Sequence, residues 1–152
     1  MNIVLVEPEI PQNTGNIVRL CAANKFKLHL VRPLGFSTDD KHLKRAGLDY
    51  WYMVEISYYD SIQEFFDKNK NIDIFYLTTK SRRSYNTVSF SNNCALVFGK
   101  ETKGLPESLL LANPERCIRI PMFNEARSLN LSNAVSIVAY EALRQNDFRG
   151  LI

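Results

Sequence analysis

Short apolar runs alternate along this chain with longer segments that carry apolar residues at helical spacing. Such alternation predicts βαβ units, in which parallel strands share one sheet and the connecting helices cover it. The predicted strands are residues 2–6, 28–31, 53–56, 73–77, 95–98 and 117–120, and the predicted helices are 14–24, 40–46, 61–69, 106–112 and 131–145. We therefore expect an α/β fold with a mostly parallel six-stranded sheet and helices on both faces.

The composition indicates one globular domain. The chain has 152 residues, of which 45% are hydrophobic and 23% charged, and this length is enough for one proper core. Apolar runs stay well short of the ~20 residues that span a bilayer, and the N-terminus turns polar at Glu7, too early for a signal peptide. We expect a single domain over residues 1–152, located in the cytoplasm.

The cysteines and histidines do not form a ligand pattern. Cys21, Cys94 and Cys117 are widely spaced in apolar surroundings without a C-x-x-C pair, which favours buried small hydrophobes over metal or redox chemistry. His29 lies in a predicted strand and His42 in a charged predicted helix. No metal site is expected.

Loops rich in Gly, Pro, Ser and Asn follow two of the predicted strands, and each loop leads into a predicted helix. Ligands of α/β domains bind at the carboxyl ends of strands, so these loops predict one shared pocket, completed by a polar loop near the start of the chain. Gly99 and Gly104 permit close backbone approach and positive φ. Neither a dinucleotide fingerprint nor a P-loop is present, so we expect a nucleotide-like ligand without a polyphosphate. A lone Gly-Leu-Pro, in contrast, is typical of an ordinary turn.

The predicted helix 131–145 is apolar over more than one face. One stripe runs from Leu131 to Ala142, and Leu129, Ile137 and Tyr140 add apolar surface beyond it. A helix of this kind is deeply buried or shared with a partner, and in a chain this short it predicts a homodimer.

Two groups of basic residues are candidates for nucleic-acid contacts. Lys41, Lys44 and Arg45 fall on one helical face, and the loop of residues 80–85 carries Lys80, Arg82, Arg83 and Tyr85, to which phosphates and bases could bind. Taken alone, each group is more typical of a solvated surface.

The motifs in combination resemble those of the SPOUT class of RNA methyltransferases. They occur in order as Pro11-x-Asn13-x-Gly15-Asn16-x-x-Arg19, Phe98-Gly-x-Glu101-x-x-Gly104-Leu-Pro106, Ile120-Pro-Met122 and Ser128-Leu-Asn-Leu-Ser-Asn-Ala134. The match includes Glu7-Pro-x-Ile-Pro11 and Arg45-Ala-Gly-Leu-Asp-Tyr50, and it is similar to the TrmL-type subfamily. This resemblance implies a C-terminal deep trefoil knot. It also implies methyl transfer from S-adenosylmethionine to the ribose of the wobble nucleotide, cytidine or modified uridine 34, of leucine tRNAs.

The resemblance also implies roles for particular residues. Leu77, Gly99, Ile120, Met122 and Ser128 correspond to the cofactor contacts, and Arg19, Asn13, Glu101, Ser128 and Asn130 to the polar cluster where the target ribose docks. A guanidinium with a pKa above ~12 is a poor base, so we interpret Arg19 as a phosphate clamp and stabiliser of the developing oxyanion. The group that accepts the hydroxyl proton stays open. The anticodon stem-loop would bind to the catalytic domain itself, across a dimer, because no separate RNA-binding domain is expected.

Other functions are compatible with the same residues. One alternative is a knotted RNA-binding module without methyl transfer, although Arg19, Ser128 and Asn130 argue against it. A second is methylation of another RNA. A third is a Rossmann-like enzyme that acts on a small metabolite, to which the missing dinucleotide fingerprint is the main objection.

Overall fold

The sheet contains six parallel strands in the part of the chain that the structure describes. In this computed structural model residues 1–37 and 49–152 are described. The strands are β1 (Asn2–Val6), β2 (Lys27–Val31), β3 (Ile56–Tyr59), β4 (Asp73–Leu77), β5 (Cys94–Phe98) and β6 (Cys117–Ile118), in the order β3-β2-β1-β5-β4-β6. Every neighbouring pair is parallel, which confirms the predicted mostly parallel six-stranded sheet.

Helices cover both faces of this sheet. They are α1 (Pro11–Asn24), α2 (Ile62–Lys68), α3 (Glu107–Leu111) and α4 (Leu131–Gln145), with short 3₁₀ turns at Tyr85–Thr87 and Pro114–Arg116. The predicted helix 40–46, with Lys41, His42, Lys44 and Arg45, lies outside the described residues.

Alternate side chains of the strands pack into two separate cores. Ile3 and Leu5 of β1 point to the face that α1 and α4 cover, together with Val18 and Val135. Val4 and Val6 point to the opposite face, where Phe65 of α2 and Leu110 of α3 pack against them. Because successive strand residues face opposite sides, a strand that is buried throughout, as β1 is, requires helices on both faces.

Two predicted strands have different ends in the structure. The strand predicted at 53–56 instead spans Ile56–Tyr59, as β3. It begins later because the amides of Met53 and Val54 donate to the carbonyls of Tyr50 and Trp51 and not to the sheet. The strand predicted at 117–120 leaves the sheet after Ile118, where the Arg119 backbone instead pairs with residues 83–85. In both places a competing backbone partner takes the hydrogen bonds that the sheet would need.

The first helix begins three residues earlier than predicted. Asn13 and Thr14, whose side chains are of types that often cap helices, are buried inside its first turn, and neither side chain caps it. Pro11 at the first helical position explains the earlier start, because it has no N–H to satisfy and its φ is already helical.

The three cysteines are free and buried, as predicted. Burial raises the pKa of the Cys21 thiol to about 12 and that of Cys94 to about 11, so both remain protonated and unreactive near neutral pH. Among the described residues no helix is both long enough and apolar enough to cross a membrane.

A buried polar network surrounds His29 in β2. Its Nδ1 lies 2.9 Å from the Tyr59 hydroxyl and its Nε2 lies 3.1 Å from Asn2 Oδ1. The Asn2 amide nitrogen donates to the Cys94 carbonyl, so its oxygen faces His29 and Nε2 carries the proton. Both nitrogens of the neutral ring therefore have a hydrogen-bond partner. The pKa of His29 is lowered from 6.5 to about 4, mainly because the ring is buried.

We predict that this histidine makes stability depend on pH. The unfolded chain binds the proton of this imidazole more tightly than the folded protein does. The contribution of His29 to the free energy of unfolding is therefore complete above its ordinary pKa of 6.5, and it is lost as the pH falls toward 4. At about pH 5 the free energy of unfolding should be lower by about 2 kcal/mol than at neutral pH.

Urea unfolding at several pH values measures this dependence. His29→Gln should flatten it, and His42→Gln separates the contribution of the other histidine in the chain. An unchanged pH dependence in His29→Gln would contradict the assignment.

Candidate functional site

A cavity of about 580 Å³ opens at the carboxyl edge of the sheet. Its walls are the segments that follow β4 and β5, the segment between β6 and α4, and the first turn of α1 with the residue before it. This volume is within the ~300–1,000 Å³ that is usual for small-molecule sites. The predicted shared pocket therefore exists as one cavity.

Most of the predicted site residues line this cavity. Those predicted to contact the cofactor are Leu77, Gly99, Ile120, Met122 and Ser128, and those predicted for the polar cluster are Asn13, Glu101, Ser128 and Asn130. Arg19 is not among the lining residues in the described part of the chain. The structure thus brings all but one of them together, and the roles of these residues stay predictions.

Gly99 and Gly104 shape the loop after β5. A Cβ on Gly99 would lie 2.0 Å from the backbone carbon of Gly104 and 2.2 Å from the amide nitrogen of Leu105. The Gly104 amide donates to the Lys100 carbonyl at 2.8 Å, and Gly104 has a φ of 69°. The loop folds back on itself only because the first glycine has no side chain and the second tolerates positive φ.

The Glu101 carboxylate joins this loop to the beginning of α1. Its oxygens accept the backbone N–H groups of Glu9 at 2.8 Å and Ile10 at 3.2 Å, and the side-chain amide of Asn13 at 3.0 Å. A negative charge near a helix N-terminus is also favourable to the helix dipole. With three donors already bound, Glu101 joins the loop after β5 to the start of α1, and its part in the ribose-docking cluster stays a prediction.

The side-chain amide of Asn13 connects Glu101 to the start of α4. Its oxygen accepts from Nδ2 of Asn130 at 2.9 Å, while the oxygen of Asn130 accepts from the backbone and hydroxyl of Ser132 at 2.9 and 2.7 Å. Asn130 is thereby the cap of α4. Because Glu101 can only accept when ionised, the orientation of both amides follows from the network.

Two further links between the same loops were not predicted from the sequence. Lys100 forms an ion pair of 2.5 Å with Glu7, and Glu9 accepts from the amide and hydroxyl of Thr102 at 2.8–3.0 Å. The Thr102 hydrogen bonds lower the pKa of Glu9, so it stays ionised. In the sequence, Glu7 and Glu9 stand out only as part of a motif that resembles a known family. Their partners lie more than 90 residues away, so spacing along the chain does not indicate these contacts.

Basic side chains surround the cavity mouth. Lys80, Lys103 and Arg127 line it; Lys80 pairs with Glu107 at 3.1 Å, whereas the other two have no ion pair within the described ranges. In the adjoining loop the Arg83 guanidinium donates to the Glu115 carbonyl at 2.8 Å, and Arg82 is exposed. The site is therefore open to an anionic ligand on this side.

Arg19 lies on the exposed side of α1 with a partner of its own. Its Nη2 donates to the Tyr50 hydroxyl at 3.3 Å, and its guanidinium carbon lies 4.8 Å from the centre of that ring. The hydrogen bond with Tyr50 raises the pKa of Arg19, so it remains a cation. Tyr50 was not predicted as a site residue, although it closes one of the resembling segments.

Comparisons with known proteins agree on one family. The model of the SpoU rRNA Methylase family matches residues 1–140. A tRNA (cytidine(34)-2'-O)-methyltransferase from Escherichia coli is 50% identical over 100% of this chain and 98% of its own length. A provisionally named protein of the same activity from Listeria innocua is 58% identical, over 99% of this chain and 91% of its own. A solved structure described in terms of the 2-OH methylation of C/U34 on tRNA has a TM-score of 0.92 and 42% identity, over 97% of each chain.

We predict that Glu101→Gln destabilises the protein by about 1–3 kcal/mol. The new amide group would place its own N–H against backbone donors that cannot accept, and one of them would lose its partner. Urea unfolding checks this, with Glu125→Gln as the control because Glu125 is exposed and such a change stays within about 0.5 kcal/mol. Equal stability of the two variants would contradict the role of Glu101.

Proposed function

The chain belongs to the SpoU rRNA methylase family, and from this premise we propose that it methylates the ribose 2'-hydroxyl of nucleotide 34 in tRNA. The family match agrees with the resemblance seen in the sequence motifs, which is thereby confirmed. The names of the relatives support the tRNA substrate and its position, and the observation that carries the proposal is the cavity in which the motif residues meet. Leucine tRNAs are the proposed substrates, and the cytoplasm, where tRNA functions, is the proposed location.

The residues of the cavity fit S-adenosylmethionine as the methyl donor. Leu77, Ile120 and Met122 provide apolar walls, which suit an adenine ring and a thioether. The Gly99 backbone, free of a side chain, offers N–H and C=O groups for the polar edge of the base. When bound, this cofactor supplies a methyl group on a sulfonium, which is a strong electrophile.

The chain itself has to align and stabilise the attacking oxygen. Asn13 and Asn130 are held by the network around Glu101, and Ser128 adds a hydroxyl at the same wall. Fixed polar groups of this kind can contribute an effective molarity of ~10⁵–10⁸ M. Arg19 is assigned to the RNA phosphate and to the negative charge that develops on the oxygen, because a guanidinium does not accept a proton.

The proposed RNA surface surrounds the cavity mouth. Lys103 and Arg127 are exposed there, and the loop containing Lys80, Arg82 and Tyr85 adjoins it. A single-stranded anticodon nucleotide can be splayed out into such a site. Here residues 1–152 act as one methyltransferase domain, without a metal.

The trefoil knot and the homodimer are parts of the same proposal. The knot would be formed by the segments around Leu77, residues 99–106 and residues 120–129, and its support is that all three line one cavity. The dimer is supported by the exposed apolar side chains of α4 and its approach, Ile137, Tyr140 and Leu129, which are 37%, 48% and 39% exposed. Since Arg19 does not line the cavity of its own chain, a second copy could also complete the site.

The direct test is methyl transfer with purified protein, labelled S-adenosylmethionine and unmodified or cellular tRNA. We expect 2'-O-methylation at nucleotide 34, and Arg19→Ala should lower the single-turnover rate about a hundredfold, as loss of one oxyanion donor does. Cofactor affinity, measured by calorimetry, should be nearly unchanged, and Arg19→Lys should recover little because an ammonium lacks the planar fork.

The outcomes separate the competing functions. Cofactor binding without transfer to any tRNA would favour a non-catalytic RNA-binding module, and methylation elsewhere would indicate another RNA site. A normal rate in Arg19→Ala would contradict the role of that residue while leaving the overall activity intact.

We predict that Ile137→Asp produces a folded monomer with little activity. Ile137 is exposed in the chain, so a charge there disrupts an interface without entering the core. Sedimentation measures the mass, and circular dichroism checks the fold. The control is Leu111→Asp, because Leu111 is 75% exposed on α3, at the opposite face of the sheet. A fully active monomer would contradict the dimer requirement.

A further inference from the structure

The one basic side chain of the predicted site that stands apart from the cavity has a dedicated aromatic partner. Tyr50 contacts Arg19 twice, through its hydroxyl at 3.3 Å from Nη2 and through its ring at 4.8 Å from the guanidinium carbon. Both contacts come from one tyrosine, and they hold the guanidinium of the residue that is proposed to bind the RNA phosphate. The pair is therefore a candidate for a functional arrangement.

Tyr50 is a fixed support for this contact. The residue is only partly exposed, and its ring packs against the core that α1 and α4 share. Arg19, in contrast, is exposed on α1. A long exposed side chain loses rotamer entropy when it becomes ordered, so contact with a fixed ring reduces the entropy that is lost when the guanidinium binds a ligand.

The contact leaves most of the guanidinium available. Arginine has five N–H donors in a planar fork, and within the described residues one nitrogen, Nη2, is engaged by Tyr50. The remaining donors can bind two oxygens of a phosphate, or one phosphate oxygen and a ribose oxygen. Contact of the guanidinium with the ring restricts its motion without occupying these donors.

We propose that Tyr50 is a positioning residue that holds the Arg19 guanidinium ready for the RNA. This inference rests on the proposed function, and it gives a role to Tyr50, the last residue of one of the resembling motifs. Tyr50 acts through Arg19 and does not itself contact the reacting atoms.

A double-mutant cycle tests the proposal. Tyr50→Ala should lower kcat/KM for tRNA by about tenfold, which corresponds to about 1.4 kcal/mol, and Tyr50→Phe, which keeps the ring, should lower it by about threefold. In an Arg19→Ala background neither change should have a further effect, because the group that Tyr50 positions is then missing. Cofactor affinity should be the same throughout.

Tyr52→Ala is the matched control. Tyr52 is a tyrosine two residues away and is 84% exposed, so its removal should leave kcat/KM unchanged in both backgrounds. If Tyr50→Ala is too unstable to purify, the Tyr50→Phe cycle alone carries the test, because it removes only the hydroxyl. Equal losses with and without Arg19, or wild-type activity in both Tyr50 variants, would overturn the proposal.

A second readout separates this inference from the proposed function. The dissociation constant for tRNA is measured by filter binding for the same set of variants, in the absence of methyl transfer. If the wild-type protein transfers no methyl group, the proposed function fails, and the cycle in tRNA affinity still tests Tyr50. Coupling between Tyr50 and Arg19 in that cycle supports the positioning role, and strict additivity overturns it.

Discussion

The Glu101 carboxylate is the interaction on which the arrangement of the site depends. It accepts two backbone N–H groups before α1 and the side-chain amide of Asn13 inside that helix. These groups belong to segments about 90 residues apart in the chain, which meet because β1 and β5 are parallel neighbours and end at the same edge of the sheet. A carboxylate can satisfy several donors at once, whereas an amide or a hydroxyl has fewer acceptor sites. The charge therefore suits this junction better than a neutral side chain would.

Further contacts extend from this junction to neighbouring segments. Asn13 and Asn130 link the loop after β5 to the cap of α4, and the pairs Glu7–Lys100 and Glu9–Thr102 strengthen the same contact between loops. Lys103 and Arg127, which follow Thr102 and precede Ser128 in the chain, are exposed and form no ion pair within the described ranges. An ordered polar network beside exposed basic side chains suits a site in which a small cofactor is enclosed and a large anionic substrate approaches from outside.

The secondary structure was largely predictable, and the errors have local causes. The strands at 2–6 and 73–77 and the helix at 131–145 have the predicted bounds, because uninterrupted apolar runs and helical periodicity set them. The ends of β3 and β6 were wrong, since backbone groups of Tyr50, Trp51 and residues 83–85 compete for the same hydrogen bonds. The predicted start of α1 was wrong because Pro11 begins the helix, and Asn13 inside it is used in a tertiary contact.

The sequence by itself determined the sheet and the two apolar faces, and the family resemblance of its motifs indicated the residues that meet in the cavity. Periodicity, glycine positions and ordered motifs are local properties, and they are present before the chain folds. Only the tertiary structure decided how those residues are used. It places Glu101 in a structural junction, separates Arg19 from the cavity and pairs it with Tyr50. Such partners are chosen by strand order and by the packing of distant segments, which spacing along a chain does not encode.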